Sequence, residues 1–270
     1  MLRFFSGLLA IALCASMAAA QDQRSGLVSL DTQHATQGWE AVGRLDINGQ
    51  GFCTAALIQD RLLLTAAHCV YDQFNRPIPA NQFLFQAGLR NGRADATRGI
   101  VQVIPHPDYK ADGPVAKVDG VAHDIAILEL AQPIRYAGVQ PFPVAARPHR
   151  GDEVAIVSYG KDRAEAPSLQ QSCRILSRLD GALVMDCQAE FGSSGSPVFR
   201  VENGRAQIVS VVSAVGESGG NVVSLGTSLQ EPLETLLTEF AASGSRRNIG
   251  DQRLITNGER NETGAKFVRP

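Results

Sequence analysis

The sequence predicts an all-β fold, a sandwich or barrels of short strands, and three observations carry that prediction. Apolar, β-rich runs of a few residues recur from Gly51 to Thr227. They are separated by Gly, Pro, Asn and Asp, the residues that tight turns require. Glycine is abundant, with 26 residues, aromatics make up only 6% of the chain, and no helical pattern alternates with the strands as βαβ units would demand.

In chain order, the first element is an address. Arg3 supplies a positive start, Phe4 to Met17 form an apolar run, and Ala18-Ala19-Ala20 reads as a small-residue cleavage site, so residues 1–20 are expected to be a signal peptide. Cys14 lies inside this run and raises a lipoprotein reading, but Leu13 before it is too large for that signal. Residues 21–37 are an N-terminal segment or short propeptide. Strands are then expected at Gly51–Ile58 and Arg61–Ala66, split by a turn at Gln59-Asp60. Further strands are expected at Gln82–Gly88, Arg98–Pro105, Ile125–Leu130 and Glu153–Tyr159. The second half adds Ser172–Ser177, Ala182–Cys187, Pro197–Val201, Gln207–Val215 and Asn221–Thr227. Leu233, Leu236 and Leu237 share one face of a helix within Glu231–Phe240. Beyond Ala242 the chain turns polar, and 243–270 is expected to be a poorly ordered or surface-draped tail with Phe267-Val268 as an anchor.

The 270 residues, 44% of them hydrophobic, can bury one large core or two small ones. A formal net charge of −2 leaves no dense basic patch, so neither nucleic acid nor an anionic membrane is expected as a partner. Once Cys14 leaves with the signal peptide, four cysteines remain: Cys53, Cys69, Cys173 and Cys187. An even count in an exported chain points to disulfides, and four cysteines allow three pairings. The sequence-local pairing joins Cys53 to Cys69 and Cys173 to Cys187. No Cys-x-x-Cys pair exists and only His68 adjoins a cysteine, so no metal site is expected.

Three clusters carry chemistry. In Leu64-Thr65-Ala66-Ala67-His68-Cys69 a histidine follows an apolar strand beside a cysteine, held as a general base must be. A lone histidine is more often structural. In His123-Asp124-Ile125-Ala126-Ile127-Leu128 an aspartate opens an apolar strand, placed to orient a histidine. Taken alone, it reads better as a strand-start residue satisfied by backbone N–H groups. In Phe191-Gly192-Ser193-Ser194-Gly195-Ser196-Pro197-Val198-Phe199 glycines allow a tight turn around one serine, with N–H groups aimed outward. Gly/Ser runs are also linkers, but this one is short and feeds directly into Pro197-Val198-Phe199.

Together these clusters resemble the chymotrypsin-like (trypsin-fold) serine protease family, in its secreted bacterial type. Thr65-Ala66-Ala67-His68-Cys69 matches the histidine motif, Asp124-Ile125-Ala126-Ile127-Leu128 the aspartate motif, and Gly192 to Val198 the nucleophile loop. The order His, Asp, Ser is this family's. The resemblance spans roughly residues 38–240. It implies two six-stranded antiparallel β-barrels with a C-terminal helix, the first over 38–140 carrying His68 and Asp124, the second over 141–242 carrying Ser194. It also implies a bridge from Cys53 to Cys69, an oxyanion hole from the N–H groups of Gly192 and Ser194, and chemistry that needs no cofactor. The expected partner is a protein or peptide substrate and the expected state a monomer, secreted or periplasmic, with no membrane attachment after signal removal.

The match has departures. Ser193 stands where pancreatic members carry an aspartate that pairs with a newly cut N-terminus, so activation of that kind is not expected. Ser196 replaces a glycine, as in secreted bacterial and glutamyl-endopeptidase-type members, and Cys173–Cys187 is placed unlike most bridges near the nucleophile. By analogy the pocket floor lies at Gln188 and its wall at Ser213-Ala214-Val215, which implies a small or uncharged substrate side chain. His106 and His149 are expected at the surface. Rival readings are an inactive trypsin-fold binding protein, an esterase, and a protease-chaperone with a peptide-binding domain. About thirty residues follow Phe240, under the roughly 50 of an ordinary domain, which argues for a standalone protease.

Overall fold

The computed structural model describes residues 26–110, 118–145 and 148–256. The signal-peptide reading of 1–20 and the anchor at Phe267-Val268 lie outside the described residues.

Six strands form a closed barrel: β2 (Val42–Ile47), β3 (Gly51–Gln59), β4 (Leu62–Thr65), β5 (Phe83–Ala87), β6 (Ala96–Pro105) and β7 (Ala126–Leu130), in the order β2-β3-β4-β7-β6-β5. Alternation along β5 sets its inward face. Phe83, Phe85 and Ala87 are buried while Leu84 is exposed, as a period of two requires.

The second half builds a seven-stranded sheet from β1 (Leu27–Ser29), β8 (Glu153–Gly160), β9 (Arg163–Leu179), β10 (Ala182–Met185), β11 (Pro197–Glu202), β12 (Arg205–Ser218) and β13 (Asn221–Ser228). Its order is β1-β9-β10-β13-β12-β11-β8, and β8 also pairs with β9, so six of these strands close into a ring with β1 added outside. Asp180-Gly181 and Asn203-Gly204 are two-residue loops with both residues at positive φ, the turn geometry whose twist suits a hairpin.

Strand β8 shows how the halves join. Val154 and Ile156 enter the second barrel's own core, with Ile175, Leu183, Met185 and Val198. Ala155, Val157 and Tyr159 point the other way, into a core continuous with the first barrel. Both faces are therefore apolar, and β8 reads as an unbroken buried run. Trp39, Phe142 and Phe199 stack in the same junction, Trp39 lying 5.0 Å and Phe142 4.7 Å from Phe199 between ring centroids.

Two segments differ from expectation. Part of the 21–37 segment is a strand, β1, paired with Ser168–Gln170 of β9, and Leu30 behind it is buried. A short helix, α1 (Val118–Ala122), precedes β7, and helix α2 runs over Gln230–Thr256, well into the stretch expected to be a tail. Pro232 sits in its first turn, where a missing N–H costs little, and no further proline occurs before Pro270. Over residues 243–256 the polar stretch that read as a tail is helical, and 257–270 lie outside the described residues. Leu233 and Leu236 are buried against the first barrel's core, and Gln102 of β6 donates to Ser243 Oγ at 2.8 Å. No helix among the described residues is long and apolar enough to cross a membrane.

Because Leu236 is fully buried, Leu236→Ala is expected to cost about 2–5 kcal/mol, read as a lowered urea midpoint; an unchanged midpoint would mean that α2 adds nothing to the fold.

Candidate active site

His68 lies in a short 3-10 turn, Ala67–Val70, directly after β4. Cys53 on β3 is bonded to Cys69, which ties that turn to the barrel wall. Asp124 precedes β7, the strand paired with β4, so adjacent strand ends bring His68 and Asp124 together. The carboxylate is 4% exposed and meets three donors. Its Oδ1 accepts the His68 backbone N–H at 2.8 Å, and its Oδ2 accepts His68 Nδ1–H at 2.7 Å and Ser213 Oγ–H at 2.5 Å. A carboxylate only accepts, so Nδ1 carries the proton and Nε2 keeps the lone pair. The His68 side chain remains 35% exposed, open to a proton donor. Burial works against the imidazolium, but the Asp124 charge and hydrogen bond outweigh it, and His68 titrates above the ordinary histidine value.

Ser194 arrives from the other barrel. Its carbonyl accepts the Thr54 N–H of β3 at 2.9 Å, and the next residue, Gly195, donates to the Val212 carbonyl of β12 at 2.8 Å. Gly195 has φ +78°, and a Cβ there would overlap Thr65 Oγ1 and the Thr54 carbonyl oxygen. The turn thus threads between the barrels where only glycine fits. Ser194 Oγ makes no hydrogen bond to His68 among the described residues; a bond between nucleophile and base commonly tightens only around substrate.

The N–H groups of this turn divide into two sets. Ser193 donates to the Glu190 carbonyl at 2.9 Å, Gly195 to Val212, and Ser196 to the Ser193 carbonyl at 3.0 Å. The N–H groups of Gly192 and Ser194 have no acceptor among the described residues. Trans peptide geometry explains their direction. The Phe191 carbonyl is held by Lys161 N–H at 2.8 Å and the Ser193 carbonyl by Ser196, so the N–H on the far side of each peptide faces the opposite way.

The expected pocket residues separate. Gln188 is exposed and lines a cavity of about 420 Å³ together with Leu27, Arg163, Asp186, Ala189, Glu190 and Val222. Cys187, bonded to Cys173, braces that wall. Ser213, Ala214 and Val215 do not line this cavity. Val215 is exposed on β12, and the Ser213 hydroxyl donates to Asp124. Sequence reasoning also missed Thr227, whose hydroxyl lies 2.6 Å from the Val121 carbonyl and 3.1 Å from that of Asp124. His106, expected at the surface, is buried and stacks on His123 with centroids 4.8 Å apart. Its donor atom, with those of Asp108 and His123, falls in a group within 4.8 Å, the described cluster of metal-ligand chemistry free of disulfide cysteines. His149 is exposed, as expected.

Two outcomes are expected from this geometry. His68 loses its base form as pH falls through a pKa above about 6.5, so kcat/KM should decline on an acid limb centred above that value, and Asp124→Asn should move the limb downward; a limb that stays put would assign it to another group. Gly195→Ala, strained in φ and blocked by backbone, should destabilise by at least about 3 kcal/mol, measured as a denaturant midpoint.

The comparisons with known proteins agree with this fold. The Trypsin family model matches residues 30–232. Transmembrane protease serine 9 of Rattus norvegicus is 36% identical over 107 residues, 38% of this chain and 9% of that protein. Coagulation factor IX of Oryctolagus cuniculus is 29% identical over 104 residues, 37% of this chain and 35% of that protein. The matched part is thus a minor share of either relative. Among solved structures, a Glu endopeptidase in complex with MPD superposes with a TM-score of 0.66 at 18% identity, covering 80% of this chain and 97% of that one, a likeness of fold alone. With the family model spanning most of the chain and both sheets accounted for, the chain belongs to the trypsin family.

Proposed function

We propose that this chain is an exported serine endopeptidase acting through Ser194, His68 and Asp124. The observation that carries the reading is the buried Asp124 carboxylate, which fixes His68 from its backbone and its ring at once. Ser194 Oγ attacks the scissile carbonyl carbon while its proton passes to His68 Nε2. The carbonyl oxygen becomes an oxyanion, received by the N–H groups of Gly192 and Ser194. Collapse breaks the C–N bond, and the proton on Nε2 leaves with the amine. A water molecule then repeats the sequence on the acyl-enzyme, giving its proton to Nε2 and returning Ser194 to its hydroxyl. Asp124 stays ionised throughout and stabilises the imidazolium. Two disulfides, Cys53–Cys69 and Cys173–Cys187, support an oxidising compartment outside the cytosol. The substrate is a protein or peptide by family, and Gln188 marks the cavity that would take its side chain.

Fluorophosphonate labelling of the mature protein tests this reading. The wild type should label at one site and Ser194→Ala should not, while His68→Ala should lower kcat by at least about 10⁴-fold. A folded, disulfide-bonded wild type that does not label would instead favour a binding protein on the same scaffold.

A further inference from the structure

Ser193, beside the nucleophile, is fully buried, and its hydroxyl is completely used. It accepts from Arg163 Nη2 at 3.1 Å and from Glu190 N–H at 3.3 Å, and it donates to the Tyr159 carbonyl at 3.3 Å. One donor and two acceptor sites are all a hydroxyl has. Arg163 is 17% exposed and equally committed. Its Nε donates to Glu190 Oε1 at 2.8 Å, its Nη2 also to Ser158 Oγ at 2.9 Å, and its Nη1 to the Ser158 carbonyl.

Arg163 closes the β8–β9 turn, where it pairs with Gly160, and Lys161 of the same turn donates its backbone N–H to the Phe191 carbonyl at 2.8 Å. This turn therefore grips the nucleophile loop at Glu190, Phe191 and Ser193. The grip on Phe191 fixes the peptide plane whose other side carries the Gly192 N–H. Rotating that plane would break the Lys161 bond and withdraw the N–H from the oxyanion position. The fit is close. A Cβ on Gly160 would overlap Glu190 Oε1 and lie 2.9 Å from Arg163 Cζ, and one on Gly192 would lie 3.2 Å from Gly160 Cα. An ammonium could not replace the guanidinium, because the acceptors on Glu190, Ser158 and Ser193 are spread across a planar fork.

We propose that Arg163 is a positioning residue that holds the nucleophile loop in its oxyanion-binding form. The proposal rests on the protease reading. It acts through Ser193 and Glu190, beside the Lys161 bond to Phe191, and touches no reacting atom.

The test pairs kinetics on a peptide ester with amide hydrogen exchange of Lys161 and Ser193 read by NMR, which needs no turnover. Arg163→Ala is expected to lower kcat about 100-fold, the loss of one oxyanion donor, with faster exchange at both amides; because Arg163 also lines the Gln188 cavity, the kcat loss together with amide exposure is the readout, whatever KM does. Arg163→Lys keeps the charge without the fork and should fall between the two; should Arg163→Ala not fold, this variant carries the test alone. A folded variant with wild-type kcat and protected amides overturns the proposal. A wild type that neither labels nor cleaves, but whose amides are protected and become exposed in Arg163→Ala, removes the protease reading and supports the clamp.

Discussion

The arrangement depends on one steric constraint, the passage of the main chain at Gly195 between two barrels. The gap is bounded by Thr54 and Thr65 on one side and Val212 on the other, and it admits backbone with no side chain. Because the passage is that narrow, the residues flanking it inherit their positions. Ser194 is fixed through its carbonyl to Thr54 and Ser196 through its carbonyl to Val212. Thr54 also donates its hydroxyl to the Gly192 carbonyl and receives the Tyr159 N–H. One threonine on β3 thus binds both the nucleophile turn and β8.

The second dependency is electrostatic. A carboxylate at 4% exposure would be strongly disfavoured if its oxygens were unpaired. Asp124 avoids this with donors from both halves of the molecule, His68 from the first barrel and Ser213 from the second. The same contacts that make the charge tolerable in the interior orient the imidazole. Stability and chemistry are served by one set of hydrogen bonds, so neither can be altered alone.

The residues that speak locally were legible. Thr65-Ala66-Ala67-His68-Cys69 and Gly192-Ser193-Ser194-Gly195 carry their geometry in short windows, because a strand end followed by a small-residue turn permits few conformations. Long-range partners were not legible. Arg163 looks like an ordinary charge at a turn, and only the closure of β8 on β9 brings it to Ser193. Ser213 was placed in the pocket wall by resemblance alone, and nothing nearby in sequence reveals its carboxylate partner 89 positions away. Strand β2 was overlooked because Gly43, Arg44 and Asp46 interrupt its apolar residues. Gly43 is in fact required, since a Cβ there would overlap the Phe85 ring. Pro167 disguised the first half of β9, although a proline is tolerated in a strand wherever its missing N–H is not called on.

The division of the site between the barrels has a consequence for how a newly made copy behaves. On the proposed mechanism the first barrel holds base and acid and the second holds nucleophile and oxyanion donors, and the closure of Asp124 by Ser213 forms only when the two have met. Pairings this distant in sequence form late and slowly. A half-folded molecule is therefore blunt: it has a serine with no base and a histidine whose acid is still hydrated. On that proposed mechanism such a chain cannot cut its equally exposed siblings while they are at their most digestible, and completion of the fold is itself the safety catch.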